Sequence, residues 1–94
     1  MASKPAYQVT CHTPDDLDPD RRIEGLGGPG NGKQWWLPID ELISGIERGA
    51  YDLWTVTPER QSVWVVVAVR NGRKYLKTEA DGLEPNNLLA LRHC

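Results

Sequence analysis

The chain has 94 residues, of which 39% are hydrophobic and 26% are charged, and its formal net charge is −2. This mixture predicts one soluble globular domain over residues 1–94. It excludes a membrane-spanning helix, because no apolar stretch reaches the roughly 18 residues that cross a bilayer. The start of the chain lacks the apolar run of a signal peptide, so we expect a cytoplasmic protein.

Two strands are predicted in the first third of the chain. Residues 1–6 have the composition of a loose terminus. Residues 7–13 alternate between apolar and polar side chains, which is typical of a half-buried strand. After an acidic loop, residues 21–26 alternate weakly and predict a short second strand. Residues 27–34 contain four glycines and a proline, and they predict a flexible loop.

One helix is predicted over residues 38–48. Pro38 suits the first helical position, and Gly49 suits the C-terminal cap. Asp40 and Glu41 in the first turn favour the positive end of the helix dipole. The apolar positions have the spacing of a single buried stripe; they are Ile39, Leu42, Ile43 and Ile46.

Three further segments complete the predicted fold. Residues 52–57 and 62–70 are rich in β-branched and aromatic side chains and predict strands. Asn71-Gly72 predicts a type I′ turn that pairs Arg70 with Arg73 and Val67 with Leu76, so residues 74–78 form the return strand. Residues 86–91 are a short apolar segment, either a strand or one helical turn.

The order of these elements is strand, possible strand, helix and three strands. A single helix cannot cover both faces of a sheet. We therefore expect an α+β fold with an antiparallel sheet of four or five strands and the helix packed on one face.

The sequence contains no complete motif for catalysis, metal binding or a cofactor. Residues 25–30 satisfy G-x-G-x-x-G and residues 27–33 satisfy G-x-x-x-x-G-K, but no helix follows directly, so nucleotide binding is not expected. The acidic spacing at 16, 18 and 20 lacks the Gly and Glu of a calcium loop. Cys11-His12 and His93-Cys94 do not predict zinc, because adjacent strand residues point to opposite faces.

The two cysteines, Cys11 and Cys94, are expected to be reduced thiols in a cytoplasmic protein. A disulfide between them remains an alternative if the two ends of the chain meet.

Aromatic and basic side chains are the candidates for binding. We expect most of the four tryptophans in the core, but Trp35, Trp36 and Trp64 are also candidate exposed anchors for a protein partner. Five basic residues and no acid lie between positions 60 and 77. These residues, which include Arg73 and Lys77, could hold single-stranded nucleic acid, or they could simply protect an edge strand.

Four stretches of the chain resemble a bacterial family known as domain of unknown function 3892. They are residues 7–11, residues 20–23 with 27–28, residues 64–67 with 74–78, and residues 85–89. The family name implies no activity. The resemblance marks Arg21, Arg22, Asn86 and Asn87 as binding candidates, although Asn also caps turns and Arg also pairs with carboxylates.

Together these observations predict a small non-catalytic binding module for a protein partner. One alternative is weak nucleic-acid binding through residues 60–77. The other is a small enzyme with a pocket around Arg21, Arg22 and Asn86. The oligomeric state is not indicated.

Overall fold

The computed structural model of the chain describes residues 4–30, 32–82 and 85–94. The described residues form eight strands and two helices in an α+β arrangement. In chain order these are β1 (Ala6–Gln8), β2 (Cys11–Pro14), β3 (Ile23–Pro29), β4 (Gln34–Pro38), α1 (Ile39–Glu47), β5 (Asp52–Val56), β6 (Ser62–Arg70), β7 (Arg73–Thr78), α2 (Asn86–Leu89) and β8 (Arg92–His93).

The strands form two mixed sheets, so the expectation of one antiparallel sheet is only partly confirmed. The first sheet has the order β1-β5-β6-β7, and the second has the order β4-β3-β2-β8. Each contains one parallel pair, β1 with β5 and β2 with β8; the other described pairs are antiparallel.

The second sheet arises because the first predicted strand is two strands. At Val9 and Thr10 the chain leaves one sheet and joins the other. The amide of Val9 donates to the carbonyl oxygen of Trp54 at 2.7 Å, and the amide of Thr10 donates to that of Gly27 at 2.9 Å. Residues 4–6 are also better held than a loose terminus, since Lys4 lies 3.3 Å from Asp52 and Ala6 pairs in β1; residues 1–3 lie outside the described part.

The β6–β7 hairpin has the predicted register. Asn71 and Gly72 have φ values of 52° and 75°, as a type I′ turn requires. Arg70 pairs with Arg73, and Val67 pairs with Leu76.

Part of the segment expected to be a loop is strand, and this part of the prediction is wrong. Gly27, Gly28 and Pro29 belong to β3 and Gln34 begins β4, so only residues 30–33 connect them. The glycines suit a strand here because other atoms lie where their side chains would be. A Cβ on Gly27 would lie 2.8 Å from both the Sγ of Cys11 and the carbonyl oxygen of Trp35, and a Cβ on Gly28 would overlap the carbonyl oxygen of Gln8. The flexibility of residues 30–33 stays a prediction.

Helix α1 begins and ends within one residue of the prediction. Its mid-helix glycine is explained by packing, because a Cβ on Gly45 would overlap the ring of Tyr51. The closing apolar segment is one helical turn, α2, rather than a strand.

One hydrophobic core joins both sheets and both helices. It contains Val9, Ile23, Leu26, Ile39, Leu42, Ile43, Leu53, Val65, Leu76 and Leu88. The tryptophans are not in it: Trp36 and Trp64 are 41% and 46% exposed, and Trp35 and Trp54 are half-buried. The expectation that most tryptophans are core residues is therefore wrong, since aliphatic side chains fill this space.

Candidate functional site

An apolar cleft lies where the edge strand of each sheet faces the helix. Its volume is about 760 Å³. It is lined by Tyr7, Pro29, Gly30, Trp35, Trp36, Leu37, Leu42, Tyr51 and Leu53. We call it the aromatic cleft. No charged side chain is among these described lining residues.

Three rings form a row along the aromatic cleft. The ring of Tyr7 packs edge-on against Trp35, with centroids 6.5 Å apart, and against Tyr51, with centroids 5.9 Å apart. Edge-to-face contacts at these distances are favourable beyond the buried area. The row is thus a fixed wall built from β1, β4 and the segment after α1.

Two polar atoms of this wall, the hydroxyl of Tyr51 and the indole nitrogen of Trp35, have different surroundings. The hydroxyl of Tyr51 donates to the carbonyl oxygen of Glu41 at 3.3 Å. Burial is the main cause that raises the pKa of Tyr51, so this hydroxyl keeps its proton at neutral pH. The indole Nε1 of Trp35 is buried and has no partner among the described residues, an arrangement that costs roughly 1–3 kcal/mol.

The strand that carries both cleft tryptophans is an edge strand. No described strand pairs with the outer side of β4, because the second sheet ends there. Trp36 lies on the opposite face of β4 from Trp35; it covers Gly25 and donates from Nε1 to Thr13 Oγ1 at 3.1 Å. An unpaired strand edge therefore lies beside the aromatic row.

The predicted acidic loop forms ion pairs with Arg73 of the basic hairpin. Arg73 donates to both carboxylate oxygens of Asp18, at 2.8 and 2.7 Å, and lies 3.5 Å from Asp20. Hydrogen bonds to the carboxylate, first from the backbone amide of Arg21 and then from Arg73, lower the pKa of Asp18. Lys74 pairs with Glu47 at 2.8 Å. These pairs reduce the charge that Arg73 and Lys74 could offer to nucleic acid, so they weaken the nucleic-acid alternative.

Asn87, one of the two residues that the family resemblance marked near the C-terminus, has structural partners. Asp81 accepts hydrogen bonds from the hydroxyl of Thr78 at 3.0 Å and from the backbone amide of Asn87 at 3.3 Å. The side chain of Asn87 donates to Thr78 at 2.9 Å. Lys77 donates to the carbonyl oxygen of Asp81 at 3.1 Å. This network fixes the start of α2 against the end of β7.

The enzyme alternative requires a pocket around Arg21, Arg22 and Asn86. Arg21 donates to Asp40 at 2.7 Å in a shallow polar cleft beside α1, whereas Asn86 is exposed at the start of α2 and does not line that cleft. Arg22 is exposed with a φ of 59° and does not line it either. The three residues therefore do not line this cleft together.

Trp64 lies on a different surface from the aromatic cleft. It is directly opposite Trp54 in the β5–β6 pair, on the outer face of the first sheet. The exposed tryptophan candidates are therefore divided, with Trp35 and Trp36 at the cleft and Trp64 apart from it.

The cysteines form a disulfide, so the expectation of reduced thiols is wrong for this structure. Cys11 and Cys94 are 83 positions apart and their Cα atoms are 4.9 Å apart, because β8 lies parallel to β2. Among the described residues no group of three or more acidic, His or Cys side chains is arranged to hold a metal ion. No described helix has the length and apolarity needed to span a membrane.

His12 is a buried side chain next to this disulfide. It is 2% exposed, its Nδ1 has no partner among the described residues, and its ring packs edge-on against His93 at 5.0 Å. Burial lowers the pKa of His12, and the nearby His93 lowers it further. Protonation of this imidazole is therefore less favourable in the folded protein than in the unfolded chain.

We expect stability to fall when the pH drops below about 6.5, the ordinary pKa of histidine. The unfolded chain then binds a proton that folded His12 resists, so stability rises with pH between the lowered folded pKa and 6.5. Urea unfolding between about pH 5.5 and 7.5 measures this slope. His12→Gln should flatten it, whereas His93→Gln should reduce it only in part, because burial is the larger cause of the shift; equal slopes in both variants would contradict the assignment.

Sequence patterns missed two of the three rings in the aromatic row. Tyr7 was placed in a strand without a partner, and Tyr51 follows the helix cap. The signal available was only that both are aromatic, because their contact joins positions distant in the chain.

The comparisons with known proteins give one match. A family model described as "Protein of unknown function (DUF3892)" matches residues 13–92. No curated protein and no solved structure matches the chain.

Proposed function

Because the chain belongs to the DUF3892 family, whose description assigns no activity, we propose its function from the aromatic cleft. The protein is a small non-catalytic module that binds an extended, uncharged segment of a protein partner. The observation that carries this proposal is the row of Trp35, Tyr7 and Tyr51 beside the unpaired edge of β4.

An extended segment suits the shape of this site. A strand edge offers backbone donors and acceptors to a peptide that lies along it, and the adjoining cleft takes the alternate side chains. Tyrosine and tryptophan provide large contact areas with little loss of side-chain entropy. The wall needs little rearrangement, since its rings already pack against each other.

Proline and aromatic side chains are the best match for the lining. Aromatic-lined grooves bind proline-rich segments because these segments are already extended when free. A charged side chain would lose its hydration in the aromatic cleft and find no charged partner among the lining residues.

The cellular setting is part of the proposal. We infer a bacterial, cytoplasmic protein from the family resemblance and the sequence. The Cys11–Cys94 disulfide makes this location testable, since disulfides persist mainly in oxidising compartments. Rapid alkylation of thiols in intact cells, followed by mass analysis, distinguishes free from paired cysteines.

A short proline-rich peptide should quench or shift the tryptophan fluorescence, and a glycine-serine peptide of equal length should not. Tyr7→Ala removes the central ring and should weaken binding at least about tenfold, or 1.4 kcal/mol. Tyr7 is 44% exposed, so this change should leave the fold intact.

Trp64→Ala is the matched control, because Trp64 is similarly exposed but lies outside the aromatic cleft. Equal losses in the two variants, or no binding of the proline-rich peptide, would reject the cleft as the binding site.

A further inference from the structure

The disulfide is chemically asymmetric. Cys11 is completely buried in β2, whereas Cys94, which follows β8, is exposed. Gly27 lies beneath both sulfur atoms: a Cβ at this position would lie 2.8 Å from the Sγ of Cys11 and 3.1 Å from that of Cys94. Cys94 is therefore the more accessible end of the disulfide for a nucleophile from solvent.

The buried sulfur has a hydrogen-bond donor in place. The side-chain amide of Gln34 donates to the Sγ of Cys11 at 2.9 Å. Such a hydrogen bond offsets part of the cost of a buried thiolate when Cys11 is the leaving group.

A second cleft borders the disulfide. It has a volume of about 450 Å³ and is lined by Thr10, Gly28, Pro29, Gly30, Gly32, Lys33, Gln34 and Arg92. Gln34 touches Cys11, and Arg92 is the register partner of Cys11 in the β2–β8 pair. Lys33 and Arg92 are exposed, and neither forms an ion pair within the described residues. We call this the basic cleft.

We propose that the basic cleft binds a small thiol that carries carboxylates, and that this thiol exchanges with the disulfide at Cys94. Lys33 and Arg92 hold the carboxylates. The chemical class is that of glutathione, a peptide thiol with two carboxylates. The inference is independent of the proposed peptide binding, because Lys33, Gln34 and Arg92 do not line the aromatic cleft, although both clefts are bordered by Pro29 and Gly30.

The exchange step balances without a further reactant. The thiolate of the small thiol attacks Sγ of Cys94 and forms a mixed disulfide there. The Cys11–Cys94 bond breaks, and its electron pair remains on Cys11 as a thiolate that accepts the hydrogen bond from Gln34. A second small thiolate then attacks its counterpart in the mixed disulfide, which releases the Cys94 thiolate and a low-molecular-weight disulfide.

Release of this bond frees the C-terminal strand. β8 has only two residues and pairs with β2. Directly after it, the backbone amide of Cys94 donates to the carbonyl oxygen of His12 at 2.9 Å. The thiol site thus controls whether the edge of β2 is covered.

The test compares glutathione, neutral 2-mercaptoethanol and cationic cysteamine on the oxidised full-length protein, at matched thiolate concentrations. Glutathione should react about three to ten times faster than cysteamine at low salt, as expected for two exposed ion pairs. High salt should reduce this preference. Fragmentation of the alkylated intact chain should place the mixed disulfide on Cys94.

Variants separate the parts of the proposal. Lys33→Glu with Arg92→Glu should reverse the preference between glutathione and cysteamine, whereas Arg60→Glu, an exposed cation in the β5–β6 turn outside the basic cleft, should not. Gln34→Ala should slow exchange severalfold with all three thiols.

Four results would overturn the proposal. They are a mixed disulfide on Cys11, equal normalised rates for the three thiols, an Arg60→Glu effect as large as that of the cleft variants, and recovery of air-oxidised protein with both thiols free.

Discussion

Replacement of Gly28 by alanine is expected to destabilise the folded protein strongly. A Cβ at this position would overlap the carbonyl oxygen of Gln8 and would lie 3.0 Å from the indole nitrogen of Trp35. The obstacle is backbone rather than a flexible side chain, so β1 and β3 would have to separate. Overpacking in a core costs about 1–3 kcal/mol or more, and a clash with backbone belongs at the upper end.

Urea unfolding followed by tryptophan fluorescence measures this effect. Gly82→Ala is the control, because a Cβ on Gly82 would meet nothing within 4 Å and its φ is not in the left-handed region. The control should change the free energy of unfolding by less than about 0.5 kcal/mol. A Gly28→Ala protein within 1 kcal/mol of the wild type would show that β1 is not held against β3 as described.

The second large effect is expected on reduction of the disulfide. A bond between residues 83 positions apart restricts the unfolded chain strongly. The chain-entropy account predicts a contribution of about 4–5 kcal/mol for a loop of this length. That is a large part of the roughly 5–15 kcal/mol that stabilises a typical domain.

Thermal unfolding with and without a phosphine reductant tests this expectation. The reductant should lower the midpoint of the wild-type protein and leave that of Cys94→Ser unchanged, since the variant has no bond to lose. Cys94 is the exposed partner, so this substitution disturbs the core least. Equal midpoints for the oxidised and reduced wild type would contradict the prediction.

Local patterns predicted the elements that are determined by neighbours in the chain. Helix α1 has its own caps and apolar stripe, and the β6–β7 register follows from the two turn residues Asn71 and Gly72. The second sheet could not be predicted in this way. Its glycines allow close approach of Trp36 at Gly25, of the disulfide at Gly27 and of the Gln8 backbone at Gly28, and these contacts depend on pairing between distant parts of the chain.

Only part of the candidate site could be predicted, because the other part also depends on contacts between distant positions. The tryptophans of the aromatic cleft stood out by residue type, whereas Tyr7 and Tyr51 needed the fold to bring them together. The acidic loop and Arg73 were recognised separately, but their ion pair spans 55 positions. The disulfide was left as an alternative because only the parallel β2–β8 pair brings Cys94 to Cys11.

The crossing of the chain at Val9 and Thr10 has a consequence for how the protein unfolds. These adjacent amides bond to different sheets, and Val9 also belongs to the core that the sheets share. Neither sheet can therefore lose this segment without exposing apolar surface of the other. Both should melt in one cooperative transition, with equal calorimetric and van't Hoff enthalpies, and the amides of Val9 and Thr10 should exchange with solvent only on global unfolding.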